Sequence, residues 1–132
     1  MLTITEKIKK ELDQVRAKYG LSLILLHGSQ IDGKTHPESD IDLAILPKDN
    51  DFDLVGLISE LIGIFQSDKI DVANLKNANP LLLFSVAKDA RLLSGEDSDF
   101  DDFQFRAFKR YVDYLPRLKE EEIFIKEKLS KI

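Results

Sequence analysis

The sequence predicts an α/β fold, a small mixed β-sheet flanked by helices, and three observations predict it. Apolar runs of strand length, at residues 21–26 and 41–46, alternate with stretches whose apolar residues recur every three or four positions. The two runs are joined through a turn that opens with Gly28-Ser29. The last part of the chain, from Asp99 onward, is helical in pattern and rich in aromatics.

The elements follow in order. Ile4, Ile8, Leu12, Val15 and Tyr19 form one stripe of a first helix, with Thr3 or Thr5 able to cap its start and Gly20 a natural stop. Residues 21–27 make a first strand, apolar enough to be buried on both faces. Residues 40–46 make a second, ended by Pro47. After a polar turn at 48–51, Leu54, Val55, Ile58, Leu61, Ile62 and Phe65 mark a second helix. Residues 69–75 give a third strand, apolar at Ile70, Val72 and Leu75 with Asp71 between them. Asn77-Ala78-Asn79-Pro80 opens a third helix that runs to about Arg91, and 92–95 is a short extended piece or turn. A further helix spans 99–115, where Pro116 should kink or break it, and a last helical stretch follows.

A chain of 132 residues suits one domain over 1–132, with a core at about 20–95 and C-terminal helices at about 99–132. With no cysteine, a disulfide framework and a thiolate zinc site are both excluded. Two histidines, His27 and His36, are too few for a His-rich metal site. A net charge of -5 without a basic patch argues against direct nucleic-acid binding. A nucleotide can still bind, because metal ions neutralise carboxylates and phosphates alike. No apolar run approaches a membrane span and the N-terminus lacks a signal-peptide layout, so the expected location is cytoplasmic, away from membranes.

The sharpest signal is the spacing Gly28-Ser29, ten residues, Asp40-Ile41-Asp42. Residues two apart on a strand point to one side, with Cα atoms roughly 6.6 Å apart. Asp40 and Asp42 then share a space while Ile41, Leu43 and Ile45 face the core. Carboxylates so close repel unless cations neutralise them, and Mg²⁺ prefers carboxylate and phosphate oxygen. Two metals about 4 Å apart would stabilise the attacking and leaving oxygens of an in-line phosphoryl displacement. Gly28 lets the backbone approach a phosphate, and the Ser29 hydroxyl and turn N–H groups can donate to its oxygens. A third carboxylate is needed as base or as third metal ligand. Asp71 is that candidate, since a charge inside an apolar strand is costly; Asp68, in the turn before it, is the substitute. Asp40, Asp42 and Asp71 are therefore the catalytic and metal-holding candidates, and Gly28 and Ser29 the nucleotide-binding ones.

Other features have plainer readings. His27 reads as a packed strand-end residue and His36 as an exposed loop residue. Glu96, Asp97, Asp99, Asp101 and Asp102 read as a solvated helix start that favours the helix dipole. Phe100, Phe103, Ala107, Tyr111 and Tyr114 can share one helix face, with Phe105, Phe108 and Val112 on a neighbouring one. One face suffices to dock the helix; the other is either further core or an interface.

On these residues the chain resembles the nucleotidyltransferase superfamily of DNA polymerase beta. Ser39-Asp40-Ile41-Asp42-Leu43-Ala44 and the short length are similar to its minimal branch, the MNT or MntA-like antitoxins, which are encoded with a HEPN-domain toxin. The resemblance covers about residues 20–95; the C-terminal helices match only in position and general character. It implies ATP as donor with two Mg²⁺, a tyrosine hydroxyl on the toxin as acceptor, and transfer of one or several AMP units. One departure stands out. Many relatives carry arginine at the positions of Gln30 and Asp32, and neither residue is basic here; Lys34 and Lys48 are the available compensations. Two rival functions remain: an antitoxin that neutralises by binding alone, and a small-molecule transferase of the aminoglycoside type. Against the second, 132 residues leave no room for a substrate domain.

Overall fold

The structure, a computed structural model, describes residues 3–28, 40–49 and 51–131. Helix α1, Glu6–Lys18, starts where the Ile8 N–H donates to the Thr5 side chain at 3.2 Å, so Thr5 rather than Thr3 is the cap. It buries Leu12 and Val15 and stops at Gly20, whose φ of 65° turns the chain into the sheet. Strand β1, Leu21–His27, pairs antiparallel with β2, Ile41–Pro47, on one side. On its other side it pairs antiparallel with β4, Arg91–Ser94. Strand β3, Ile70–Asn74, runs parallel to β2, which completes a mixed sheet of order β3-β2-β1-β4. The parallel connection runs through helix α2, Leu54–Phe65, capped by Asp53, which accepts from the Gly56 N–H at 3.0 Å.

Helix α3, Pro80–Asp89, and helix α4, Asp97–Ser130, cover the second face. Leu21, Ile24, Leu26, Leu43 and Ile45 pack against α1 and α2. Leu23, Leu25 and Ala44 point the other way, onto Leu83, Val86 and Ala87 of α3 and Phe103 and Ala107 of α4. That two-sided cover is why β1 is apolar almost throughout. Each fully buried Leu or Ile contributes about 1.5–3 kcal/mol relative to exposure. The buried polar Ser94 is satisfied: its hydroxyl donates to Asp13 at 2.5 Å and accepts from Arg16 Nε at 2.8 Å, which ties α1 to β4.

Several boundaries differ from expectation. β2 begins at Ile41, so Asp40 lies just ahead of the strand. β3 ends at Asn74, because Leu75–Asn77 tightens into a 3-10 turn. α3 stops at Asp89, and residues 91–94 are a true edge strand with Arg91 as its first residue. α4 starts at Asp97 and runs unbroken to Ser130 with Pro116 inside it. Of the kink or break expected at Pro116, the break does not occur. Pro116 and Val112 are both exposed, so water can take the Val112 carbonyl that the missing N–H leaves without a donor. Among the described residues no helix is long and apolar enough to cross a membrane.

Candidate active site

The two ladders of β2 set three polar side chains in one row. His27 is the register partner of Asp42 across β1 and β2, and Asp42 is the register partner of Asp71 across β2 and β3. Directly opposed residues on neighbouring strands have Cβ atoms about 4.5–5.5 Å apart. By alternation all three fall on the α3/α4 face, in line with Leu25, Ala44 and Ala73, which pack there. They stand past the end of that apolar cluster, with Asp71 exposed and Asp42 and His27 half-buried. Asp40, also exposed, stands one residue ahead of β2.

The electrostatics follow from this crowding. Loss of hydration pushes the Asp42 carboxyl above its ordinary range; His27 pulls it back, and the neighbouring Asp71 and Asp40 raise it further. Three acidic groups thus bear on one point, which is the environment a divalent cation relieves. Among the described residues no group of three or more His, Asp or Glu converges tightly enough to cage a metal unaided. Mg²⁺ with a nucleotide does not need a cage, since it takes one or two carboxylates and fills its shell with phosphate oxygens and water. The donor set therefore suits that ion.

Gly28 has two reasons to be glycine. Its φ of 79° is left-handed, and a Cβ placed on it would stand 3.1 Å from Asp42 Cγ and nearer still to a carboxylate oxygen. The residue read as clearing space for phosphate clears space first for Asp42. Ser29, its partner in that reading, lies outside the described residues, as do Gln30, Asp32, Lys34, His36 and Ser39.

Lys48, one of the two candidate compensating cations, lies far from Asp42. It follows the far end of β2, six positions after Asp42, which is about 20 Å along the strand. There its carbonyl accepts from Lys76 Nζ at 2.6 Å. A cavity of about 580 Å³ at that same end, lined by Leu46, Lys48, Lys76, Phe103 and Arg110, is likewise remote from the acidic row. Asp68 lies outside β3, in the turn before it. His27, read from the sequence as a packed strand-end residue, stands in this row beside Asp42. The signal for it was parity with Leu23 and Leu25, which becomes informative only once the register of β1 on β2 is known.

The aromatic cluster divides cleanly. Phe103 and Ala107 are buried, Phe100 packs beside them, and Tyr111 stacks on Phe84 of α3 with ring centroids 4.0 Å apart. Phe105 and Phe108 are 67% and 56% exposed, so that second face is not core.

Residues 6–99 match the family model described as Polymerase beta, Nucleotidyltransferase. The protein adenylyltransferase MntA of Aphanizomenon flos-aquae is 32% identical over 99 residues, 65% of this chain and 65% of that protein. The chain thus spans just under two thirds of that relative's length. A crystal structure of a toxin-antitoxin with AMP-PNP superposes with a TM-score of 0.71 at 25% identity, covering 92% of this chain and 98% of that one. The complex of a tri-AMPylated Shewanella oneidensis HEPN toxin with its MNT antitoxin shares the fold, with a TM-score of 0.65 at 23% identity over 92% of this chain and 96% of that chain.

Proposed function

Because the chain belongs to the polymerase beta nucleotidyltransferase family, we propose that it transfers AMP from Mg-ATP to a tyrosine hydroxyl of a HEPN-domain toxin and so acts as its antitoxin. The observation that carries this reading is the acidic row: Asp42 and Asp71 in register, with Asp40 close enough to raise Asp42. Support for donor and partner comes from relatives, one a protein adenylyltransferase and one crystallised as a toxin-antitoxin with AMP-PNP.

Asp40 and Asp42 hold Mg²⁺ in this reading, and Gly28 with Ser29 holds the phosphates. The ion, when bound, offsets the charge that develops on the transferring phosphoryl group. Asp71 takes the proton of the acceptor hydroxyl, or else completes the ligand set. The acceptor oxygen bonds to the α-phosphorus while the bond from that phosphorus to pyrophosphate breaks, and pyrophosphate leaves with the electron pair. The partner is met by the exposed apolar face of α4, where Phe105 and Phe108 stand clear of the core.

Label transfer from α-labelled ATP to the purified partner tests the proposal. Wild type should label the toxin, and the Asp40→Asn, Asp42→Asn double variant should not. Equal labelling by both would sink the metal assignment. A second reading, neutralisation by binding alone, draws support from the remote position of Lys48. Under it, the double variant restrains the toxin as well as wild type does, and neither transfers label.

A further inference from the structure

We propose that His27 is a positioning residue for Asp42, its imidazole fixing that carboxylate, across the β1–β2 ladder, in the orientation that binds a divalent cation. This rests on the reading of Asp42 as a metal-holding residue. The backbone places His27 directly opposite Asp42, and alternation turns both side chains to the same face. The residue after it, Gly28, lies against the same carboxylate, where any side chain would collide. At the end of β1, Gly28 leaves room for the Asp42 carboxylate, and His27 stands across the ladder from it. Asp71 and Asp40 press on Asp42 with like charge from the other sides, whereas His27 attracts it.

An imidazole carries an N–H in either tautomer, and a metal-bound carboxylate keeps a lone pair for it. Carboxylates that bind metals are commonly held by such an outer hydrogen bond, and loss of the partner weakens metal affinity or activity about 10–100-fold. A strand-end histidine that merely packs would make no such difference once its ring volume is replaced.

Calorimetric titration of Mn²⁺ into the full chain in the presence of AMP-PNP separates the two roles. His27→Phe keeps a planar ring and removes the donor; His27→Gln restores a donor without the ring. The expected result is Mn²⁺ affinity about 10–100-fold weaker in His27→Phe and largely recovered in His27→Gln. His27→Ala, assayed with and without added imidazole, covers the case in which the Phe variant fails to fold, and imidazole should restore its binding. Wild-type affinity in His27→Phe, or no rescue of His27→Ala by imidazole, overturns the proposal for His27 alone. Binding that Asp42→Asn leaves unchanged overturns the metal reading as well.

Discussion

Asp42 and Asp71 face each other in register across the parallel β2–β3 ladder, so carboxylates from two separate strands meet on one face of the sheet. The relationship is set by the core. Leu43 and Ile45 bury on the α1/α2 side with Val72 packed against them, and alternation turns Asp42 and Asp71 to the opposite side. A slip of one residue would bury Asp71 among leucines at a large desolvation cost, so the pairing is strongly specified.

Asp71→Asn separates base from ligand. If Asp71 removes the acceptor proton, the variant keeps most of its Mg-ATP affinity and loses on the order of 10²–10⁴ in single-turnover rate. Calorimetry and rapid quench, run on one preparation, read the two quantities. An unchanged rate removes Asp71 from the site and makes Asp68 the next residue to test.

Asp42 links the site to stability. Its folded carboxyl sits above the ordinary value of 3.8, chiefly through desolvation. A raised carboxyl favours the protonated folded state. Its contribution is fully present below pH 3.8 and is lost as pH rises through the folded value. At neutral pH the ionised group therefore costs stability in the metal-free protein. Asp42→Asn should melt at or above the wild-type temperature at pH 7, with the difference closing toward acid pH, while transfer is abolished. A variant that melts well below wild type at pH 7 would contradict this account of Asp42.

Gly28→Ala tests the close approach. The left-handed backbone costs about 1–2 kcal/mol for a residue with a Cβ. That Cβ also displaces the Asp42 carboxylate. The expected outcome is a modest fall in Tm and loss of transfer with the fold retained by circular dichroism. An Ala variant with full activity would mean that the carboxylate is free to move aside.

Much of this was legible in the chain. The α1 stripe, the buried β1 and the cap candidates at Thr5 and Gly20 follow from local pattern, and local pattern is what the helix and strand obeyed. What depended on pairing was not. Residues 91–94 are too few to announce a strand, and become one because β1 offers an open edge. Asp40 fell one residue short of β2 because strand ends are set by available partners rather than by composition. His27 joined the row only through its register with Asp42. The helix did not end at Pro116 because, where it is exposed, the Val112 carbonyl that loses its donor can turn to water.

The exposed aromatics give the partner prediction. Phe105 and Phe108 are 67% and 56% exposed, opposite the buried Phe103 and Ala107 of the same helix. Exposed substitutions that touch no special feature stay within about 0.5 kcal/mol. Phe105→Ser should therefore leave the melt nearly unchanged. Phe108→Ser should move it slightly more, since the Phe108 ring lies 6.4 Å from that of Phe84. At an interface hot spot each truncation costs about 2 kcal/mol or more, roughly thirtyfold in affinity. Titration of the HEPN partner against each variant, beside a thermal melt, reads both quantities. Weakened capture with an intact melt places the toxin on this face of α4. Undiminished capture with an intact melt would move the partner surface elsewhere, and a collapsed melt would show that these rings brace α3 against α4 after all.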